Sequence, residues 1–241
     1  MTPLLSVRGV TKTFGTIRAL GPVDVHLRAG ERLGLIGPNG SGKTTLINCI
    51  TGLFPPDSGT VLFKGVDITR EPAYRRARLG LSRSFQIPRP FVGMTVLENL
   101  LVPMDYLAKS ARQEISRAED VLRSVGLIDR RDDLSETLSQ LELRKLELAR
   151  ALVAEPQILI ADEAMAGLSE GEIDDVLALL LELNRSGVAV VMIEHIMHAV
   201  MRFSERVICL ETGLIIAEGT PTEVAENPTA QKVYFGERAP R

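Results

Sequence analysis

The sequence predicts an α/β fold in which a parallel sheet is buried between helices. Three short runs are apolar almost throughout and rich in branched side chains, which is typical of strands covered on both faces: residues 33–36, 158–161 and 188–193. Three other runs alternate apolar and polar side chains, as strands with one exposed face do: residues 4–8, 23–28 and 60–64. The alternating runs predict an antiparallel β subdomain beside the parallel core.

A stretch of different composition separates the first two buried strands. Residues 88–154 are rich in helix formers and poor in β-branched residues, so they predict an inserted α-helical subdomain. The last part of this stretch carries apolar residues at helical spacing: Leu143, Leu146, Ala149 and Val153. Charged residues interleave with them as a polar face: Arg144, Lys145, Glu147 and Arg150. We therefore expect one domain, with residues 1–87 and 155–241 forming the core and its β subdomain.

Composition narrows the classes of protein that fit. Of the 241 residues, 45% are hydrophobic and 24% are charged, so the chain is long and apolar enough to bury a core. The net charge of −3 gives no overall attraction to nucleic acid or anionic lipid. Cys49 and Cys209 lie in apolar segments, which predicts reduced, buried thiols. No apolar run approaches the ~20 residues that span a bilayer, so contact with a membrane is expected to go through partners.

A glycine-rich motif follows the first buried strand. It matches G-x-x-x-x-G-K-[ST] between a strand and a predicted helix, and it consists of Gly37, Pro38, Asn39, Gly40, Ser41, Gly42, Lys43 and Thr44. Inward-pointing backbone N–H groups and the positive end of the helix together predict a cradle for a triphosphate. Lys43 is expected to neutralise the β and γ oxygens, Thr44 to bind Mg²⁺ through its hydroxyl, and Thr45 to add a further nucleotide contact. The alternative is a glycine-rich turn that binds nothing.

Carboxylates and a histidine follow the other two buried strands. Asp162 and Glu163 end the second strand, and His195 comes just after the third. Ligands of open parallel sheets bind at the carboxyl ends of strands, so these residues and the phosphate loop are expected at one edge. There Asp162 would hold Mg²⁺, Glu163 would polarise the attacking water, and His195 would contact the γ-phosphate. Taken singly, the carboxylates could instead cap a helix, and the histidine could be structural.

With these motifs, nearly the whole chain resembles the ABC (ATP-binding cassette) transporter ATPases. Phe14 resembles the aromatic residue that stacks on adenine, although an ordinary core aromatic is the alternative. Gln86 is similar to the glutamine that reaches Mg²⁺ and water and links the core to the helical insertion, with a plain loop residue as the alternative. The resemblance implies a P-loop NTPase with a RecA-like parallel core, ATP and Mg²⁺ as ligands, and ATP hydrolysis as the activity.

Two segments depart from the family pattern. Residues 138–142 stand where the family has its signature L-S-G-G-Q, which caps the ATP of the opposite subunit in a head-to-tail dimer. Ser139 keeps the hydroxyl that would meet the partner's ATP, but Leu141 replaces a glycine that permits close approach, and Glu142 adds negative charge. Ser169 replaces the usual aspartate of the loop that communicates across the dimer. We hypothesise an unequal pair, in which this chain's own site is competent and the site it caps is weak.

Several segments are similar to the ATPases of branched-chain amino-acid importers: residues 95–100, 193–201, 218–221 and 233–237. That resemblance implies a second ATPase subunit in a heterodimer, permease subunits, a periplasmic binding protein, and a peripheral position at the cytoplasmic face of the membrane. Substrates in that group and its relatives include hydrophobic amino acids, urea, amides and aromatic acids. The surface near residues 88–101 would bind a cytoplasmic helix of the permease. Four apolar side chains there would make the contact, or could instead belong to the core: Ile87, Phe91, Val92 and Met94.

Two other functions stay open from the sequence, and a third does not fit it. An exporter ATPase, such as the lipopolysaccharide-transport type, has a similar C-terminal ending but normally a fuller signature. A nucleotide-locked subunit with little hydrolysis would also explain the altered signature. A soluble ATPase of DNA repair or translation would bring long coiled-coil insertions or two cassettes, and neither fits within 241 residues.

Overall fold

The structure is a computed structural model that describes residues 2–84, 88–105 and 111–235. The strands are β1 Leu5–Phe14, β2 Ile17–Leu27, β3 Arg32–Ile36, β4 Ser58–Phe63, β5 Val66–Asp67, β6 Leu81–Ser84, β7 Ile158–Asp162, β8 Ala189–Ile193, β9 Arg206–Glu211 and β10 Leu214–Gly219. The helices are α1 Lys43–Thr51, α2 Ala73–Leu79, α3 Val96–Asp105, α4 Ala111–Ser124, α5 Gln140–Leu152, α6 Glu170–Arg185, α7 Met197–Phe203, α8 Pro221–Glu226 and α9 Pro228–Phe235. Within these residues no helix is long and apolar enough to span a bilayer.

The chain divides into two compact units. The first unit comprises the residues up to Arg76 together with those from Ala189 onward, and the second unit is Ala77–Val188. The second unit is wider than the predicted helical subdomain, since it also contains β6, β7 and α6. The narrower boundary at residues 88–154 stays a prediction.

The first unit contains an antiparallel sheet and a mixed sheet. The antiparallel sheet has the strand order β2-β1-β4-β5, and alternate residues are buried in the predicted runs of β2 and β4. In the mixed sheet β3 pairs in parallel with β8 and with β9, and β10 runs antiparallel to β9. Strand β8 is buried at every residue and β3 at all but its first. The predicted combination of parallel and antiparallel sheets is confirmed.

The second unit packs helices around a parallel strand pair. Strands β6 and β7 are paired in parallel, and every residue of β7 is buried. Helices α3, α4 and α5 all lie within the stretch that the sequence predicts to be helical. The prediction that Arg144 and Glu147 belong to a polar face is wrong in one respect, because both side chains are buried. Arg144 donates to the Ala166 carbonyl at 2.9 Å, and Glu147 pairs with Arg150 at 3.1 Å.

The two cysteines are buried and reduced, as the sequence predicts. Cys49 lies in α1 and Cys209 in β9, and neither side chain is exposed. Burial raises the pKa of each thiol to about 11, because an apolar environment disfavours the thiolate. Both residues therefore act as small apolar side chains of the core.

Arg76 is a buried arginine whose hydrogen bonds all end on backbone carbonyls. Its side chain is 1% exposed. It donates to the carbonyls of Cys49 and Ile50, both at 2.7 Å, in the last turn of α1. It also donates to the Glu71 carbonyl at 2.8 Å and the Thr69 carbonyl at 2.9 Å. A cation at the C-terminal end of a helix satisfies carbonyls that have no partner within the helix and complements the helix dipole.

Replacing Arg76 by Met should destabilise the protein strongly. Methionine fills similar space but leaves buried carbonyls without donors, so we expect the free energy of unfolding to fall by about 3 kcal/mol or more. Denaturant titration followed by circular dichroism measures this. Arg75→Met is the matched control, because the Arg75 side chain is 58% exposed and pairs with Glu71 at the surface. Equal midpoints for the two variants would contradict the assigned role.

Candidate functional site

The phosphate loop lies between β3 and α1 in the first unit, as predicted. The Lys43 side chain is buried and its Nζ donates to the carbonyls of Gly37 at 2.7 Å and Pro38 at 3.0 Å, so the lysine folds over its own loop. Ser41 is also buried, and its hydroxyl has no hydrogen-bond partner among the described residues. A buried hydroxyl without a partner is costly unless a ligand or water satisfies it. The loop therefore presents a polar group that suits a bound anion.

Two glycines of the loop approach neighbouring backbone too closely for any side chain. Gly37 has φ +151°, and a Cβ there would lie 2.3 Å from the Leu210 carbonyl oxygen in β9. Gly42 has φ +105°, and a Cβ there would lie 2.7 Å from the Ala19 carbonyl oxygen in β2. The backbone of the loop therefore lies very close to strands β9 and β2 of the first unit. The glycines are thus required both by backbone conformation and by space.

The other side of the loop is open. Asn39, Gly40 and Thr44 are exposed and Thr45 is half-buried. Helix α1 starts at Lys43 and has no acidic residue in its first turn, so its N-terminal amides carry uncompensated partial positive charge. The loop amides, the lysine and the helix start fit a phosphate group.

His195 lies at the same sheet edge as the phosphate loop. Strands β3 and β8 pair in parallel with Leu35 opposite Ile193. Gly37 and His195 each come two positions further along, so both follow the carboxyl ends of neighbouring strands. The His195 side chain is exposed. The first unit therefore brings together two of the three strand ends that the sequence singles out.

Asp162 and Glu163 lie in the second unit, at the carboxyl end of β7. Asp162 is buried and accepts a hydrogen bond from Arg83 of β6 at 2.5 Å. Glu163 is half-buried and has φ +47°, a left-handed conformation that is uncommon for a residue other than glycine. Such strain is typical of functional positions. The contact between Arg83 and Asp162 is not predicted from the sequence. The sequence shows only that Arg83 is the single charged residue in the short run Leu81–Ser84.

The signature segment forms a helix cap. Ser139 is the N-cap of α5, and its backbone N–H donates to the Glu142 carboxylate at 2.7 Å while its hydroxyl accepts from the Glu142 N–H at 3.3 Å. The Ser139 N–H lowers the pKa of Glu142, burial opposes this, and the Ser139 hydroxyl and the charges of Arg130 and Lys145 reinforce it. The negative charge that the sequence predicts near a partner's ATP is thus paired within the chain. Leu141 is half-buried.

The loop after Glu163 contacts the signature helix. Ser169 caps α6, and its N–H and hydroxyl both donate to Glu172, at 2.8 and 2.7 Å. Gly167 has φ +81°, and a Cβ there would lie 2.7 Å from Nε2 of Gln140. The hydrogen bond from Arg144 to the Ala166 carbonyl joins the loop to α5, and Gly167 lies close to Gln140 at the start of that helix. Ser169, which replaces the family aspartate, therefore acts as the N-cap of α6.

Phe14 is not an ordinary core aromatic. It is 48% exposed, and its ring meets Phe54 edge to face with centroids 5.4 Å apart. Lys12 Nζ lies 5.7 Å from the Phe14 centroid. The exposed face of Phe14 is available to a planar ligand. Gln86, predicted to reach Mg²⁺, lies outside the described residues.

Three of the apolar residues predicted to contact a permease are exposed. Val92 is the most exposed, and Phe91 and Met94 are also at the surface. Asn99 is fully buried and braces their loop, since its Oδ1 accepts from the Phe91 N–H at 2.7 Å. The Arg150 guanidinium lies 4.6 Å from the Phe91 ring centroid. Ile87, the fourth residue, lies outside the described residues.

Comparison with protein families decides the class. A family model described as ABC transporter matches residues 20–166, more than half of the chain. The chain belongs to the ABC transporter family. A second model, described as branched-chain amino acid ATP-binding cassette transporter, matches residues 215–240 of this ABC transporter chain. The predicted family and its ATPase activity are confirmed.

Similar proteins cover this ABC transporter chain almost completely. It is 36% identical to the high-affinity branched-chain amino acid transport ATP-binding protein LivG of Escherichia coli K12, over 98% of each chain. BraF of Pseudomonas aeruginosa, with the same description, is also 36% identical over 98% of each chain. A crystal structure of a nucleotide-free ATP-binding cassette from an ABC transporter matches with a TM-score of 0.90 and 32% identity, covering 98% of this chain and 100% of that one. The predicted cassette fold is therefore confirmed.

Proposed function

We propose that the chain is the ATP-hydrolysing subunit that powers an importer of branched-chain amino acids. The observation that carries this proposal is the similarity to LivG and BraF over nearly the full length, together with the C-terminal match at residues 215–240. In this assignment the chain works with a second ATPase subunit, permease subunits and a periplasmic binding protein. It lies at the cytoplasmic face of the membrane, held there by the permeases.

The phosphate loop supplies the binding half of the chemistry. The backbone amides of the loop and the Lys43 ammonium bind the β- and γ-phosphates, so Lys43 exchanges its contacts with the loop carbonyls for phosphate oxygens. Ser41, whose buried hydroxyl has no partner among the described residues, donates to the same anion. Phe14 stacks its exposed face on the adenine ring.

We assign the hydrolysis step to side chains that follow the carboxyl ends of buried strands. Glu163 accepts a proton from the attacking water, and His195 hydrogen-bonds the γ-phosphate. Thr44, Asp162 and Gln86 would hold Mg²⁺, which when bound neutralises charge on the phosphate oxygens. The chemistry of the oxygen donors suits such a cation: Thr44 of the first unit offers an exposed hydroxyl, and Asp162 of the second unit offers a carboxylate.

The altered signature favours a pair with unequal sites. A dimeric cassette bound to ADP and Pi in a post-hydrolysis state matches this chain with a TM-score of 0.81 at 27% identity, covering 90% of this chain and 98% of that one, which supports a paired arrangement. Ser139 would cap the partner's ATP, but its hydroxyl is already engaged with Glu142, and Leu141 adds bulk where the family has glycine. We assign the weaker site to the partner's nucleotide and the stronger site to this chain's own residues.

The exposed loop around Phe91 is the surface we assign to a permease. Phe91, Val92 and Met94 expose apolar area on a loop that the buried Asn99 holds in place. An apolar patch on a rigid support is typical of a protein contact. A cytoplasmic helix of a permease would cover it.

Uptake of leucine tests the assignment of substrate. A host strain without this chain should lose uptake of radiolabelled leucine, isoleucine and valine, and the wild-type chain should restore it. Lys43→Ala should not restore it, because the neutral side chain leaves phosphate charge uncompensated. Uptake of labelled lysine serves as the control and should not change. Intact leucine uptake with loss of urea or amide uptake would contradict the substrate that we propose.

A further inference from the structure

We propose that Arg83 is a positioning residue that balances the charge of Asp162 and thereby weakens the hold of the site on its divalent cation. The proposal rests on the proposed function, because it assumes that Asp162 serves a cation bound with ATP. Arg83 does not belong to any motif that the sequence analysis singles out. Its side chain is 12% exposed and that of Asp162 is 8% exposed, so the pair is largely removed from water.

Strand register dictates the contact between the two side chains. Strands β6 and β7 are parallel, with Arg83 opposite Ile160. Side chains two positions apart on a strand share a face, so Ile160 and Asp162 point the same way as Arg83. The guanidinium reaches forward along that face and donates to Oδ2 of Asp162 at 2.5 Å. A register shift of one residue would turn Arg83 to the opposite face.

The ion pair compensates the buried charge of Asp162 when no nucleotide or cation is bound. A buried carboxylate with no counter-charge would be costly, and Arg83 supplies that charge within the second unit. The position of Asp162 does not depend on Arg83 alone, because β7 is buried throughout and paired with β6 along its backbone. Charge is therefore the larger contribution of Arg83.

A divalent cation at Asp162 would meet the positive charge of Arg83. Repulsion between the guanidinium and the cation opposes binding, and it is strong where both are shielded from water. Arg83 thus lowers the affinity of Asp162 for the cation, which favours release once the nucleotide leaves. Removing the positive charge should tighten binding of the cation, whereas a purely structural role predicts no tightening.

Mn²⁺ binding followed by electron paramagnetic resonance tests this inference. The full chain is mixed with a stoichiometric non-hydrolysable ATP analogue and titrated with Mn²⁺, and the analogue alone provides the baseline. Arg83→Met should lower the Mn²⁺ dissociation midpoint by about tenfold. Arg83→Lys keeps the charge and should remain close to wild type. Arg117→Met removes an arginine that pairs with Glu155 at 2.9 Å elsewhere in the second unit, and it should change nothing.

The outcomes separate this inference from the proposed function. A midpoint for Arg83→Met that is unchanged or higher, in a wild type that does bind Mn²⁺, overturns the role of Arg83 alone. A wild type that holds no Mn²⁺ beyond the analogue's own overturns the proposed function and this inference with it. If Arg83→Met does not fold, Arg83→Gln replaces it, with the same expected direction, because glutamine is neutral and keeps a polar group that can donate hydrogen bonds.

Discussion

Replacing Glu163 by Gln should reduce ATP hydrolysis by the assembled complex by about a hundredfold or more, because the amide cannot accept a proton from the attacking water. Binding of ATP should persist, since the phosphate loop is unchanged. Phosphate release measures hydrolysis, and a fluorescent ATP analogue measures binding. Glu170→Gln is the matched control, because Glu170 is an exposed carboxylate at the start of α6 and should leave hydrolysis intact.

The same change in the second ATPase subunit that we propose tests whether the two sites are unequal. Most of the hydrolysis should survive there, because the altered segment at Ser139, Leu141 and Glu142 completes only the partner's site. Equal losses from the two variants would contradict unequal sites. A complex with no single turnover even in the wild type would instead identify a nucleotide-locked subunit.

Replacing Gly37 by Ala should abolish useful binding of ATP. The added Cβ would lie 2.3 Å from the Leu210 carbonyl oxygen and 2.6 Å from the Ser41 hydroxyl, so the loop must move away from its strands. Backbone amides that move no longer point at the phosphate oxygens. We therefore expect the dissociation constant for ATP to rise by about a hundredfold, equivalent to about 3 kcal/mol. Equilibrium titration with a fluorescent ATP analogue measures the change.

Gly65→Ala is the control for backbone strain alone. Gly65 has φ +80°, yet a Cβ there meets nothing within 4 Å, and it lies in the turn between β4 and β5. It should lower stability slightly and leave the affinity for ATP unchanged. A similar loss of affinity in both variants would show that strain, and not the clash at Leu210, explains the result for Gly37.

Local patterns account for what the sequence predicts well. The phosphate loop is one continuous motif, so its strand, turn and helix are all visible in residues 33–51. His195 is predicted because a buried parallel strand ends just before it, and the pairing of Leu35 with Ile193 confirms its edge. Ser139 and Glu142 also form a readable capping box. Comparison with the family signature alone does not reveal this cap.

Contacts that depend on distant pairing are not visible in the sequence. Arg83 and Asp162 are 79 positions apart, and only the register of β6 with β7 places their side chains together. Arg76 looks like one more charge in an arginine-rich helix, because charged side chains are mostly exposed. Its burial depends on carbonyls from two separate stretches, the last turn of α1 and the segment 69–71, that converge on one guanidinium.

Helix α1 is restrained at both of its ends. Its first turn belongs to the phosphate loop, and the carbonyls of its last turn are held by the Arg76 guanidinium. The ends of helices normally fray. A frayed last turn would change conformation when the first turn moves, so the movement would not reach the residues beyond the helix. Because Arg76 holds the carbonyls of its last turn, we expect α1 to move as one body. When a nucleotide binds and displaces the first turn, the displacement should therefore reach Arg76 at the other end of the helix. Arg76 would pass it on to Thr69 and Glu71, on the segment that follows the antiparallel sheet.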